Sequence, residues 1–157
     1  MKAFGCALIV VVFYIIQRNK LKYYLYTDGA ARGNPGPAGA GIYVVDENGN
    51  QVGRCCKYLG ETTNNVAEYE ALLMGLKYAQ KEKLKHLTIY ADSELMVKQV
   101  RGEYRVKNKR LNILYQQVME LLPFFDYRMV HVRRERNKIA DLLANEAIDK
   151  ALAEREG

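Results

Sequence analysis

The chain is poor in the residues that build disulfide frameworks and zinc sites. Its 157 residues include only three cysteines and two histidines. The cysteines are odd in number, and two are adjacent at Cys55 and Cys56, so they provide no disulfide framework and fit a reducing compartment. With two histidines and no Cys-X-X-Cys pair, the sequence also argues against a zinc site.

The sequence also lacks an apolar run long enough to cross a membrane as a helix. The run AFGCALIVVVFYII, residues 3–16, has 14 residues, whereas a helical span needs about 17 or more. It has the length of a signal-peptide core, but no A-x-A site follows it. Three interpretations of residues 1–19 stay open: a membrane anchor or uncleaved signal, an upstream extension through a misassigned start, or an extra buried segment. As an anchor, its basic C-terminal flank would hold the domain in the cytoplasm.

Internal repeats, low-complexity stretches and interdomain linkers are absent too. Apolar residues make up 49% of the sequence, which argues against disorder and predicts one globular domain over residues 20–157. Lysines and arginines outnumber acidic residues by 24 to 18, for a net charge of +6. This excess favours a polyanionic partner, a nucleic acid or an anionic membrane surface, although a soluble protein can be basic without one. We expect a cytoplasmic monomer.

The spacing of apolar residues predicts the elements βββ-α-β-α-α-β-α and therefore an α/β fold, one five-stranded mixed sheet with helices on both faces. Hairpins reverse the second and third strands, and helical crossovers return the chain. Strands one, four and five then run parallel, and their carboxyl ends meet at one edge, where ligands bind in such sheets. The strands are residues 20–27, 39–46, 50–60, 86–91 and 124–132, and the helices are 66–83, 93–102, 109–122 and 138–156.

Four acidic residues are predicted to lie at that edge. Asp28 closes the first strand, and Asp92 follows the fourth. Glu68 and Asp141 fall in the first turns of the helices after strands three and five. Each alone has a structural interpretation, in a capping box, as an N-cap or beside a helix dipole. Together the four carboxylates repel one another unless cations neutralise them, and an all-oxygen site suits Mg²⁺ or Mn²⁺ in phosphoryl transfer.

The chain resembles the ribonuclease H type 1 family over residues 21–150, in the compact form that lacks a basic protrusion between the middle helices. All four positions of the family's Asp-Glu-Asp-Asp set are filled. The resemblance implies an endoribonuclease that hydrolyses the RNA strand of RNA–DNA hybrids by two-metal-ion cleavage, leaving 3′-hydroxyl and 5′-phosphate ends. The segments that carry it are YTDGAARGNPGPAGAG, TTNNVAEYEALLMGL, IYADSELMVKQV and RNKIADLLANEA.

The same resemblance implies a role for each acidic residue. Asp28 bridges two Mg²⁺ ions, which Mn²⁺ can replace. Glu68 and Asp92 complete one metal site, and Asp141 helps to hold the other.

The resemblance further implies contacts with the minor groove of the hybrid. Asn34 and Asn64 match positions that touch this groove, and Asn65 is expected to join them. The groove displays the 2′-hydroxyls that distinguish RNA from DNA. Gly29 and the glycines that follow it are expected to let the backbone pass close to the hybrid.

Other residues are expected to contact phosphates. By the resemblance, Thr63 and Asn108 match a pocket for a phosphate of the DNA strand. The basic segment 98–110, which includes Lys107, is predicted to bind phosphates, the alternative being a solvated charged surface.

The chain departs from the family's better-known bacterial members in the loop before Asp141. Those members carry a mobile histidine there, whereas this loop, RRERNK at residues 133–138, has none. Arg134 is proposed as the substitute, through attraction of a phosphate, and Glu135 as its rival, through proton transfer or transient removal of a metal ion. His86 and His131 are predicted to be structural and distant from the acidic residues.

Overall fold

A computed structural model describes the backbone of residues 2–156 and the side chains of residues 5–156. The five strands are β1 (Lys22–Ala31), β2 (Gly36–Asp46), β3 (Gln51–Thr62), β4 (His86–Ala91) and β5 (Asp126–His131). The helices are α1 (Lys2–Lys20), α2 (Asn64–Lys81), α3 (Glu94–Val100), α4 (Lys109–Leu121) and α5 (Lys138–Glu156), with short 3-10 turns at Leu122–Phe124 and Arg134–Arg136.

The strands form one mixed sheet in the order β3-β2-β1-β4-β5. β2 is antiparallel to both of its neighbours, and β1, β4 and β5 are parallel. Helices α2 and α5 pack on opposite faces of the sheet. The predicted fold, strand directions and shared carboxyl edge are therefore confirmed.

The core lies between the sheet and the helices α2, α3 and α4. On the sheet, Leu25 and Ile42 are wholly buried, and they belong to one core cluster with Leu72 and Leu76 of α2. The predicted apolar face of α2 is confirmed, because its spacing places these leucines on one side of the helix. This packing fixes the amino-terminal part of α2 beside the carboxyl end of β1.

β1 extends further than the sequence predicted. Asp28 was expected to close the first strand, but the antiparallel pairing with β2 continues to Ala31, and Asp28 pairs with Gly41. Asp28 therefore lies within a strand and is paired with β2, whereas the pairing of β1 with β4 ends at Thr27. The turn to β2 is confined to residues 32–35.

Three glycines of this region allow helices to approach the sheet closely. A Cβ atom added to Gly29 would lie 2.1 Å from the main-chain carbon of Ala67 in α2. A Cβ on Gly39 or Gly41 would lie 2.2 Å from a carbonyl oxygen of α5. At these three glycines, the space that a Cβ atom would take is filled by the backbone of α2 or α5. The expected contact between the main chain of Gly29 and the hybrid remains a prediction.

The N-terminal apolar run forms the exposed helix α1. Its side chains from Leu8 to Ile16 are exposed, so the interpretation as a buried segment is wrong. Near its end, Arg18 forms a salt bridge of 2.8 Å with Glu82, at the end of α2. Within the described part of the chain, no helix has the length and apolarity needed to cross a membrane.

Candidate active site

Three of the predicted acidic residues converge at the carboxyl edge of the sheet. Asp28 comes from β1, Glu68 from the second turn of α2, and Asp92 directly follows β4. One carboxylate oxygen from each lies within 4.8 Å of the others. Asp28 and Glu68 are only 4% and 8% exposed. The spacing and oxygen chemistry suit a hard divalent cation.

Asp141 adjoins this group from the first turn of α5, as predicted. It is exposed, unlike Asp28 and Glu68. Its carboxylate lies close enough to Asp28 to raise the pKa of that residue. The four acidic residues therefore lie at one edge, with Asp28 between the others.

The crowding is unfavourable for four ionised groups. Burial, followed by the charges of Glu68 and Asp92, raises the pKa of Asp28. Burial and the charge of Asp92 also raise the pKa of Glu68, while the Gly29 N–H and the charge of Arg134 oppose that shift. Glu68 Oε2 is buried without a hydrogen-bond partner. A bound cation would satisfy this oxygen and neutralise the repulsion, so the residues present fit a metal site.

Two structural interpretations of the acidic residues are wrong. The N-cap of α2 is Thr63, whose hydroxyl accepts from the Val66 N–H at 3.3 Å. Glu68 therefore lies beyond the first turn and in no capping box. The N-cap of α3 is Ser93, not Asp92. With local capping assigned to neighbouring residues, Glu68 and Asp92 are available to the site.

Asn137 is a residue of this site that sequence reasoning missed. Its side-chain Nδ2 donates to Asp92 Oδ2 at 3.1 Å and to the Thr27 carbonyl oxygen at 2.9 Å. It is 1% exposed, and its Oδ1 is buried without a partner. Asn137 thereby ties the turn before α5 to both β1 and Asp92, and no local pattern in the sequence indicates this.

Asn145 orients the fourth acidic residue in a similar way. Its Nδ2 donates to Asp141 Oδ1 at 3.2 Å and to the Asp141 carbonyl oxygen at 3.0 Å. Arg32, from the turn after β1, donates to Asn145 Oδ1 at 3.3 Å. The spacing of four residues between Asp141 and Asn145 was the signal available in the sequence, because such residues are neighbours on a helix.

The structure brings Asn34 and Asn64 together. Asn34 Oδ1 accepts from the Asn64 N–H, and Asn64 Oδ1 accepts from the Ala31 N–H, both at 3.1 Å. These bonds fix the two side chains at the end of β1 through their oxygens. Asn65 is exposed in the first turn of α2 beside them.

The residues predicted to bind phosphates are accessible, and two of them also cap helices. Thr63 caps α2, and Asn108 caps α4 through bonds of 2.9 and 3.1 Å from Arg110 N–H and Leu111 N–H. Lys107 is exposed beside Asn108. A capping side chain at a helix N-terminus lies next to unpaired N–H groups, which favour anions.

The loop before α5 lies against the acidic group. Arg134 and Glu135 are exposed in its 3-10 turn, and the charge of Arg134 reaches Glu68. His86 lies away from the four acidic residues of the site, as predicted. Its Nδ1 lies 3.0 Å from Oδ2 of Asp126, at the start of β5. The same prediction is wrong for His131, because its Nε2 lies 3.2 Å from the Asp92 carbonyl oxygen. Parallel pairing of β5 with β4 brings this histidine to the site edge.

The sheet order, the helices on both faces and the acidic residues at the carboxyl edge define a ribonuclease H-like protein. The chain belongs to the reverse transcriptase-like family, whose sequence profile matches residues 26–147, and the proteins it is similar to include type 1 ribonucleases H. The family resemblance carried by the four sequence motifs is thus confirmed.

Ribonuclease HI of Halobacterium salinarum is 39% identical over 83% of this chain and 66% of its own length. The bifunctional protein Rv2228c of Mycobacterium tuberculosis is 39% identical over 83% of this chain and 36% of its own length. The chain therefore spans about two thirds and one third of these curated relatives.

Solved structures agree with these matches. LC11-RNase H1 in complex with an RNA/DNA hybrid is 46% identical, with a TM-score of 0.79 over 83% of this chain and 99% of that chain. The N-terminal RNase H domain of Rv2228c, solved as a fusion with maltose-binding protein, is 37% identical, with a TM-score of 0.81 over 87% of this chain and 99% of that chain.

Proposed function

We propose that this protein is an endoribonuclease that hydrolyses the RNA strand of RNA–DNA hybrids, leaving 3′-hydroxyl and 5′-phosphate ends. The convergence of Asp28, Glu68 and Asp92 within 4.8 Å, with Asp141 beside them, carries the proposal. The relatives named ribonuclease H, and the hybrid bound to LC11-RNase H1, support the choice of substrate. We assign this activity to residues 20–157.

The four acidic residues would hold two Mg²⁺ ions, or Mn²⁺ in their place. Asp28 is central and buried, which suits a ligand common to both ions. Glu68 and Asp92 would complete one site, and Asp141 would help to hold the other from α5. When bound, the ions would supply activation of water and stabilisation of the leaving oxygen. Asn137 and Asn145 keep the Asp92 and Asp141 carboxylates in position.

Polar residues beside this site would recognise the hybrid. Asn34 and Asn64 present amide groups at the end of β1, and Asn65 and the Gly29 main chain extend this surface toward the minor groove. The side-chain oxygens of Asn34 and Asn64 already accept hydrogen bonds from main-chain N–H groups. The Nδ2 groups of these two amides are therefore the donors that they can offer to the hybrid. Donors placed in this groove can read the 2′-hydroxyls of RNA.

A second set of residues would bind the DNA strand through its phosphates. Thr63 and Asn108 cap two helix N-termini, where unpaired N–H groups favour anions. Lys107 adds a positive charge next to Asn108. These contacts position the duplex without reading its sequence.

Arg134 and Glu135 are the two candidates for the role of the absent loop histidine. We favour Arg134, because it is a cation in the turn directly before α5, and its charge opposes the rise in the pKa of Glu68. An arginine stays protonated near neutral pH, so it cannot act as a base. It would instead hold the scissile or product phosphate through charge-assisted hydrogen bonds.

We place the enzyme in the cytoplasm as a monomer. Its three cysteines are free, as a reducing compartment allows. One chain supplies all four acidic residues and the proposed hybrid contacts, so the site needs no second copy.

A panel of duplexes tests the proposed activity. An RNA–DNA hybrid, a double-stranded RNA and a DNA duplex of the same sequence are incubated with the protein and Mg²⁺ or Mn²⁺. We expect cleavage of the RNA strand of the hybrid alone, and none with EDTA. Binding without cleavage would indicate a nucleic-acid-binding module, and cleavage of the DNA duplex would indicate an integrase-like or transposase-like nuclease.

A further inference from the structure

Helix α1 presents apolar side chains to solvent on every side. Each residue from Leu8 to Ile16 is at least 38% exposed. Successive residues of a helix are turned by about 100°, so this stretch covers the whole circumference. A helix that packs on a protein surface has one apolar and one polar face. An apolar surface on all sides instead matches an environment of lipid acyl chains.

The end of α1 is joined firmly to the domain. Arg18 Nη1 donates to the Glu82 carboxylate at 2.8 Å and to the Glu82 carbonyl oxygen at 2.7 Å. The Leu21 N–H bonds to the Gln17 carbonyl oxygen at 3.2 Å, at the start of β1. The apolar helix therefore leaves the domain at a defined place, beside the C-terminal end of α2.

Exposed lysines surround the place where α1 leaves the domain. Lys20 is the last residue of the helix and Lys22 the first of β1, and Lys83 and Lys85 line one surface cavity together with Asn19. We call Lys20, Lys22, Lys83 and Lys85 the basal lysines. The exposed aromatic ring of Phe124 lines the same cavity.

Four acidic residues also lie at this end, and three of them have partners within the domain. Glu82 pairs with Arg18, and Asp126 lies 3.0 Å from His86. Asp46 accepts hydrogen bonds inside the β2–β3 hairpin, next to Glu47. The basal lysines therefore provide a positively charged rim around an apolar helix, which is complementary to an anionic membrane surface.

We propose that α1 inserts into an anionic lipid membrane, with the basal lysines at the level of the headgroups. Residues 5–16 would lie among the acyl chains. At 1.5 Å per residue this stretch is about 18 Å long, shorter than the ~30 Å hydrocarbon core of a bilayer, so it would not span that core.

The attachment also sets the direction of the active site, and this step rests on the proposed function. α1 joins β1 at its amino end, whereas the acidic residues lie at its carboxyl end. Asp28 follows Lys22 by six residues, which corresponds to about 20 Å along a strand. The site faces away from the membrane, where a nucleic-acid duplex can reach it.

The absence of tryptophan from the sequence provides a direct probe. Phe13→Trp places a single tryptophan at a position that is 61% exposed. With vesicles of phosphatidylcholine and phosphatidylglycerol, we expect its emission to shift to shorter wavelength and to be quenched by brominated acyl chains. Vesicles of phosphatidylcholine alone should bind at least several-fold more weakly.

Further substitutions in the Phe13→Trp protein test the two parts of the surface. Val11→Glu should weaken binding at least tenfold, and Lys83→Glu with Lys85→Glu should do so about tenfold on anionic vesicles. Lys150→Glu, on α5, is the control for a charge reversal away from α1 and should change binding little. Circular dichroism checks that each variant is folded. Hybrid cleavage by the Phe13→Trp protein is measured separately. If this protein binds vesicles but does not cleave the hybrid, only the proposed function is contradicted.

Two results would overturn the proposal. One is an unchanged emission spectrum in the presence of anionic vesicles. The other is a blue-shifted emission without vesicles together with a doubled mass in light scattering, which would mean that a second copy of the chain covers α1.

Discussion

Asn137 Nδ2 donates a hydrogen bond of 3.1 Å to Asp92 Oδ2. The same nitrogen bonds to the Thr27 carbonyl oxygen at 2.9 Å, one residue before Asp28. The buried amide of Asn137 thus links β1 and the Asp92 side chain to the turn before α5. Besides the pairing of Thr27 with Ala91, this amide holds the Asp92 carboxylate beside the end of β1.

Asn137→Ala should therefore reduce kcat by about 10–100-fold with a small change in KM, as expected when a group that orients metal ligands is removed. Loss of its buried hydrogen bonds should also lower the free energy of unfolding by about 1–3 kcal/mol. Steady-state kinetics and urea denaturation measure the two effects. Asn112→Ala, exposed on α4, is the control. Wild-type turnover by folded Asn137→Ala would remove this residue from the account.

Gly41→Ala should destabilise the fold through the contact between β2 and α5. Its Cβ would lie 2.2 Å from the Ala140 carbonyl oxygen, and neither backbone can move freely. We expect a loss of at least about 1–3 kcal/mol in the free energy of unfolding, the usual range for overpacking. Chemical denaturation gives the value. Gly5→Ala, with nothing within 4 Å of the added atom, is the control. Equal stability of the two variants would refute the packing argument.

Lys107→Ala should lower the steepness with which hybrid affinity falls as salt rises. Loss of one phosphate contact reduces the slope of log K against log salt by about one unit. Fluorescence anisotropy at several salt concentrations gives the slope. Lys150→Ala, exposed on α5, should leave it unchanged. A Lys107→Ala slope equal to that of the parent would exclude this lysine from the interface.

Arg134→Ala should lower kcat about tenfold with little change in KM, because its proposed contact with the phosphate is made mainly after binding. Glu135→Ala is the paired variant from the same turn. Rates are measured from pH 6 to pH 9. Parental turnover by Arg134→Ala across this range would reject the arginine, and slowing by Glu135→Ala alone would assign the role to the glutamate.

The sequence predicted the strands, their directions and the acidic edge because these depend on local patterns and on connection rules. The position of Asp28 within β1 was missed, since the pairing of Gly29 and Ala30 with β2 is a tertiary contact. The link from Asn137 to Asp92 spans 45 residues, so no local spacing reveals it. His131 was placed wrongly for the same reason, because only the pairing of β5 with β4 brings it beside Asp92.

The N-terminal run shows a different limit. A continuous apolar stretch of 14 residues has no periodicity from which burial or exposure could be predicted. Only the packing shows that Leu8 and Phe13 contact solvent and not the core.

The most direct test of the central claim compares the parent protein with Asp28→Asn on one hybrid, its RNA and DNA strands carrying different labels. An amide is a poor ligand for two hard cations, so Asp28→Asn should lose metal binding. The substitution leaves the residues proposed to contact the hybrid unchanged, so hybrid binding should remain. In Mg²⁺ we expect the parent to cut only the RNA strand, giving 3′-hydroxyl and 5′-phosphate ends, and Asp28→Asn to bind the hybrid without cutting it. Mg²⁺-dependent cleavage by well-folded Asp28→Asn, or no RNA cleavage by the parent, would contradict the claim.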